Sequence, residues 1–191
     1  KIDNNQLEDE SWIIDFNDFN FNFSRANDNL GIGIGFLTNN LIKSYLFYNP
    51  VKDDFFCFEK GSGAFKNDFR IRVSNKLNKE EIIVSIFQNY DETKNKESIK
   101  LIKNLLSNNS IIQRESGSLN FDLCNLACGK IDCSIFINPS KKTEIIAKLI
   151  LAECGGKINI PNFKDTRIFI CNNKFIEKTV KQMIENNIIK S

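Results

Sequence analysis

Two aspartates three residues apart, Asp15 and Asp18, close the segment Ser11-Trp12-Ile13-Ile14-Asp15-Phe16-Asn17-Asp18. A short apolar strand signal leads into them, and a turn after a strand can aim both carboxylates at one hard cation such as Mg²⁺. The same pair can instead serve as turn or cap residues bonded to neighbouring backbone N–H groups. Composition excludes other chemistries. With no histidine in the chain, neither a Ser/His/Asp nor a Cys/His constellation can be assembled. The six cysteines, Cys57, Cys124, Cys128, Cys133, Cys154 and Cys171, contain no C-x-x-C pair, and zinc's usual histidine partner is missing. Most stand in apolar strings such as Phe55-Phe56-Cys57-Phe58 and read as small buried hydrophobes of a reducing, cytoplasmic protein. Gly61-Ser62-Gly63 lacks the Gly-Lys-Ser/Thr of a phosphate loop and reads as a hairpin turn.

The elements that must position these residues fall into two halves of one expected domain, residues 1–191. At 41% hydrophobic the chain can bury a sizeable core, and a net charge of +2 with interspersed signs leaves no nucleic-acid or membrane footprint. No apolar run reaches the ~20 residues of a membrane span, and the polar start Lys1-Ile2-Asp3-Asn4-Asn5 is unlike a signal peptide. A soluble protein is expected. Strand signals cover residues 31–38, 41–49, 54–59, 69–74 and 82–87, separated by turn residues such as Asn39-Asn40, and predict an antiparallel meander. Helical periodicity then predicts helices over 97–106, 118–128, 143–154 and 174–188, alternating with strands over 131–137, 157–160 and 167–171. The fold class is α/β, in layered α+β form.

Four ordered stretches carry a resemblance. Trp12-Ile13-Ile14-Asp15-Phe16-Asn17-Asp18-Phe19-Asn20-Phe21-Asn22-Phe23 is similar to W-I-I-D-P-[IL]-D-G-T-x-N-F, the first signature of the inositol monophosphatase family. Tyr48-Asn49-Pro50-Val51-Lys52-Asp53 with Gly61-Ser62-Gly63-Ala64-Phe65-Lys66-Asn67 resembles that family's hairpin. Gly117-Ser118 through Cys124, with Ala127-Cys128-Gly129-Lys130-Ile131-Asp132, resembles G-S-A-A-L-D-L-x-x-[VL]-A-x-G-R-x-D. Glu153-Cys154-Gly155-Gly156 resembles the end of the second signature.

The resemblance implies an α-β-α-β-α sandwich with its N-terminal helical layer missing or reduced. It also implies Mg²⁺-dependent hydrolysis of small phosphate monoesters such as inositol phosphate. Metal ligands would be Asp15, the backbone carbonyl of Asn17, and Asp18. The fourth ligand, the aspartate of W-D-x-A-[AG]-G, aligns with Thr143, and its tryptophan with Lys142. Phe19-Asn20 stands where the family has Gly-Thr, so Asn20 holds the place of a catalytic threonine and Phe19 that of a phosphate-holding glycine. Gly117, Ser118 and Phe136 fall at substrate-binding positions, Phe136 in place of a glutamate. The family's N-terminal Gly-Glu-Glu has no counterpart, so Mg²⁺ binding is expected to be weak or absent. Glu144 is the alternative ligand to Thr143, one position away. Two readings follow: a member with impaired phosphatase activity and a structural or regulatory role, or an active Mg²⁺-dependent phosphomonoesterase. A homodimer and a partner in the transcription machinery are further implications.

Overall fold

A computed structural model of the protein describes residues 10–16, 19–75, 82–88, 112–160, 162–163 and 166–173. The expected helices over 97–106 and 174–188 lie outside these residues. Strands β1 (Glu10–Asp15), β2 (Ile32–Thr38), β3 (Leu41–Asn49), β4 (Asp54–Glu59), β5 (Gly63–Lys66) and β6 (Phe69–Arg70) form one sheet in chain order. Every neighbouring pair is antiparallel. Between β2 and β3 the turn is Asn39-Asn40, both at positive φ, the conformation that matches the twist of a two-residue hairpin. The expected strand over 69–74 keeps only its first two residues. Beyond them Ile71 still donates its N–H to Ala64 O of β5 at 2.9 Å, and Val73 then donates to Cys154 O at 3.1 Å, which ties the end of the segment to a helix end.

The second sheet has the order β10-β12-β9-β7-β8, with β11 (Asn162–Phe163) paired to β12. Its members are β7 (Ile83–Gln88), β8 (Ile112–Arg114), β9 (Cys133–Ile137), β10 (Gly156–Asn159) and β12 (Thr166–Asn173). Strand β7 runs parallel to β8 and β9; β12 runs antiparallel to β9 and β10. Three helices complete the description: α1 (Phe19–Ser24), α2 (Leu119–Ala127) and α3 (Lys141–Cys154).

Helices α2 and α3 lie between the sheets. Alternation along β3 and β4 turns Tyr45, Phe47, Phe56 and Phe58 to one face, where all four are fully buried against Leu123, Leu126, Ile146 and Ile150. Fully burying such aromatic rings is the main stabilising contribution of this layer. Close packing here needs a residue without a side chain opposite: a Cβ on Gly33 would stand 2.1 Å from the Tyr45 phenol oxygen. Trp12, Ile14, Tyr48 and Phe55 belong to the first sheet's outward-facing positions and are exposed. The fold therefore delivers the end of β1, the N-terminus of α3 and the loop before α2 as its candidate functional positions.

Candidate active site

Strand β1 ends on Asp15, which is buried at 5% exposure because its register opposite Gly33 points it toward the helix layer. Its carboxylate Oδ2 lies 3.1 Å from Lys142 Nζ, in the first turn of α3. This pair joins the first signature-like segment to the second. Asn17 and Asp18 fall outside the described residues. Phe19 and Asn20 open α1, a single short helix whose first turn carries no acidic residue.

At the far end of α1, Asn22 is buried and donates through Nδ2 to Asn29 O at 2.6 Å and to Ser116 O at 3.1 Å. It thereby fixes the loop that leads into α2. Gly117 in that loop has φ +74, a left-handed conformation that a side chain disfavours, and a Cβ there would approach Asn22 Oδ1 to 3.2 Å. Ser118 is the N-cap of α2: its hydroxyl accepts from Phe121 N at 3.1 Å. Asn22 and Gly117-Ser118 are thus brought together, as two signature-like segments require.

Helix α3 departs from the sequence expectation at its start. It begins at Lys141, two residues before the expected start at 143, and its N-cap is Ser140. The Ser140 hydroxyl accepts from Thr143 N at 3.1 Å and shares a second bond, 2.9 Å, with Thr143 Oγ1. Thr143 is therefore an N3 residue whose own hydroxyl closes a capping pair. Ile146, Leu149 and Ile150 are buried on the inner face of α3, joined there by Glu144 at 5%, while Ile145 is only half-buried. Phe136 belongs to β9 and is fully buried with Leu126, Ile146 and Ile150, so its ring packs the core instead of facing a dissolved substrate.

Other residues of the signature-like stretches hold backbone. Asn49 Oδ1 accepts from Val51 N at 3.0 Å and Lys52 N at 3.1 Å, while its Nδ2 donates to Asp28 O at 2.7 Å. Asp132 is buried and accepts from Ile83 N at 3.0 Å and from the Ser74 hydroxyl. The backbone N–H groups of Gly61 and Gly63 donate to the Glu153 carboxylate at 2.9 and 3.0 Å, so the glycine turn already holds an anion from its own chain. Burial pushes the thiols of Cys57, Cys128 and Cys133 up from their ordinary value and that of Cys154 to about 12. As thiols these groups stay protonated at neutral pH.

Across the whole of this architecture, the model of the inositol monophosphatase family matches residues 1–189. The chain belongs to that family. A putative Nus factor SuhB of Neisseria meningitidis serogroup B is 30% identical over 146 residues, which cover 76% of this chain and 56% of that protein. The match therefore spans little more than half the relative's length. An inositol monophosphatase of Dictyostelium discoideum is 28% identical over 182 residues, covering 92% of this chain and 67% of that protein. Among solved structures, the extragenic suppressor protein suhB of Bartonella henselae has a TM-score of 0.79 at 22% identity, covering 92% of this chain and 70% of its own. An IMPase/NADP phosphatase solved in complex with Mg²⁺ and phosphate has a TM-score of 0.72 at 19% identity, covering 92% of this chain and 67% of its own. The inositol monophosphatase fold is shared by these chains.

Within that family fold, Asp15 and Thr143 are the expected ligand positions that fall among the described residues, while Asn17 and Asp18 do not. An ammonium group already neutralises Asp15, and Thr143 offers only a neutral hydroxyl engaged with Ser140. Among the described residues no three His, Cys, Asp or Glu side chains are grouped to hold a metal. Mg²⁺ prefers several hard oxygen donors around it, so no catalytic step through the ion is derived from them. The resemblance puts Lys142 at the tryptophan position of the second signature; its pairing with Asp15 is what the structure adds.

Proposed function

We propose that this chain is a divergent inositol monophosphatase-family protein with impaired or lost phosphatase activity and a structural or regulatory role. The observation that carries the reading is the Lys142–Asp15 pair beside a Thr143 already committed to Ser140. Hydrolysing a phosphate monoester requires a cation that neutralises the phosphate, lowers the pKa of an attacking water and stabilises the leaving alkoxide. A lysine ammonium neutralises charge but offers no coordination position at which a water can be acidified. Asn20 and Phe19, at the positions of the family-type Thr and Gly, extend the same reading to the phosphate end. The test is turnover of inositol-1-phosphate and other small phosphate monoesters in millimolar Mg²⁺. No turnover above background is expected; robust turnover that disappears in Asp15→Asn would overturn the proposal.

A second reading, an active Mg²⁺-dependent phosphomonoesterase, is favoured by one observation: Glu144 is buried in the first turn of α3, one position from Thr143. Loss of turnover in Glu144→Gln would establish it. For partners, the relatives named Nus factor SuhB support a protein-binding role in the transcription machinery, and homodimerisation is proposed from the family resemblance. Sedimentation that shows only a 22.0 kDa species at micromolar concentration would remove the dimer. A cytoplasmic location is part of the same proposal. No helix among the described residues is long and apolar enough to cross a membrane.

A further inference from the structure

We infer that Lys142 is a built-in cation: its ammonium group takes the position beside Asp15 that a divalent ion would otherwise occupy, and makes this corner of the fold independent of metal. The inference deepens the proposal above and rests on its reading of Asp15 as a ligand position. Three observations carry it. Asp15 is buried at 5%, so its charge is costly unless it is compensated. Compensation comes from Lys142 Nζ at 3.1 Å, a contact distance for a charge-assisted bond. Ser140 and Thr143 fix the helix turn that carries Lys142 through bonds of 3.1 and 2.9 Å, so the backbone from which the lysine reaches Asp15 is held by a capped helix start.

Lysine suits this role physically. Its four-carbon stem places a compact point charge away from its own backbone, and the ammonium brings three donors to a carboxylate. Charge at the site then no longer depends on the ion concentration outside. A divalent cation approaching Asp15 meets a unit positive charge at contact distance, a repulsion that outweighs a factor of ten in affinity even at an effective dielectric constant of about 20. The ammonium group therefore competes with a cation for Asp15.

Mn²⁺ serves as the paramagnetic probe, titrated into the full chain and followed by electron paramagnetic resonance of the free ion. Lys142→Met removes the charge and keeps the apolar stem; Lys142→Gln removes it and keeps a hydrogen-bond donor. Both are expected to bind Mn²⁺ about tenfold or more tightly than the wild type. Lys142→Arg, which keeps the charge, is expected to match the wild type. Adding Asp15→Asn to Lys142→Met is expected to abolish the gain. Equal Mn²⁺ affinity in the wild type and in whichever charge-removing variant folds overturns the inference, as does a gain that survives Asp15→Asn. The two proposals fail separately. Phosphatase turnover by the wild type defeats the impaired-activity reading without bearing on relative Mn²⁺ affinity, and equal affinities defeat the built-in cation without restoring turnover.

Discussion

The two ends of helix α3 treat family-like residues in opposite ways. At its C-terminal end Glu153 keeps its carboxylate and uses it to hold the Gly61 and Gly63 N–H groups, Cys154 is buried, and Gly155 closes the helix in the left-handed conformation. At its N-terminal end the position aligned with a ligand carboxylate is Thr143, and the preceding position carries a lysine that neutralises Asp15. One end retains charge that organises backbone. The other sets a lysine against Asp15 and carries one buried carboxylate, Glu144, in its first turn. The packing frame of the helix and the character of its first turn are thus separable: Cys154 and Gly155 follow the family-like pattern, while Lys142 and Thr143 do not.

The largest effect expected from this contrast lies in the core between the ends. Phe136 occupies a substrate position by alignment but is buried among α2 and α3 side chains. Phe136→Ala is expected to cost about 3–5 kcal/mol of stability in urea unfolding, the range for removing a fully buried ring. A cost within about 0.5 kcal/mol, typical of exposed positions, would return Phe136 to the surface and break the contrast.

Much of this was legible in the sequence where local rules act alone. The bounds 41–49 and 54–59 emerged in the structure unchanged because alternating apolar residues meet unambiguous turn signals at Asn39-Asn40 and Asn49-Pro50. The start of α3 lies two residues before the expected 143 because Pro139-Ser140 carries the helix-start signal, with the Ser140 hydroxyl as the cap. The short ending of β6 follows from a hydrogen bond to Cys154 O, a partner that no local pattern reveals. That the start of α3 meets Asp15 is legible through the second signature-like segment; the ion pair itself is not, because the resemblance has a tryptophan at the position of Lys142.

Thiol chemistry sharpens the contrast at the helix's C-terminal end. Cys154 has its pKa raised from 9.0 to about 12, chiefly by burial. Three units correspond to about a thousandfold less thiolate at pH 8, so iodoacetamide labelling of Cys154 is expected to be about a thousandfold slower in the native than in the unfolded chain. The sign for stability follows. The native state holds the proton more tightly, so this contribution is complete below pH 9 and is lost as pH rises from 9 toward 12. Rapid native labelling at pH 8, resolved at Cys154 by mass spectrometry, would show an open helix end.

Glu153→Gln comes next in size. It preserves shape while removing the charge that accepts two backbone N–H groups, and it is expected to cost about 1–3 kcal/mol, the scale of hydrogen bonds to charged groups. A parallel loss of amide-exchange protection at Gly61 and Gly63 would tie the cost to the hairpin. No change in either measurement would leave the C-terminal end without its organising carboxylate, and the two ends would no longer differ.

The smallest expected effect is at the other end, and its size is what makes it informative. A ligand that binds only the folded state raises stability by RT ln(1 + [L]/Kd), about 2.7 kcal/mol at a hundred times Kd and about 0.4 kcal/mol at Kd. A family-type metal site would therefore show itself in thermal or urea unfolding as a clear gain between chelator and 10 mM Mg²⁺. With Lys142 on Asp15 and a neutral Thr143 beside it, the wild type is expected to gain less than about 0.4 kcal/mol over that range, which places its Kd above about 10 mM. Ionic strength is held constant with KCl, since general screening also changes exposed ion pairs. A gain above about 2 kcal/mol, absent with KCl alone and lost in Asp15→Asn, would mean that Asp15 serves a cation after all. Both ends of α3 would then retain the family's chemistry, and Lys142 would be a neighbour of the site instead of its occupant.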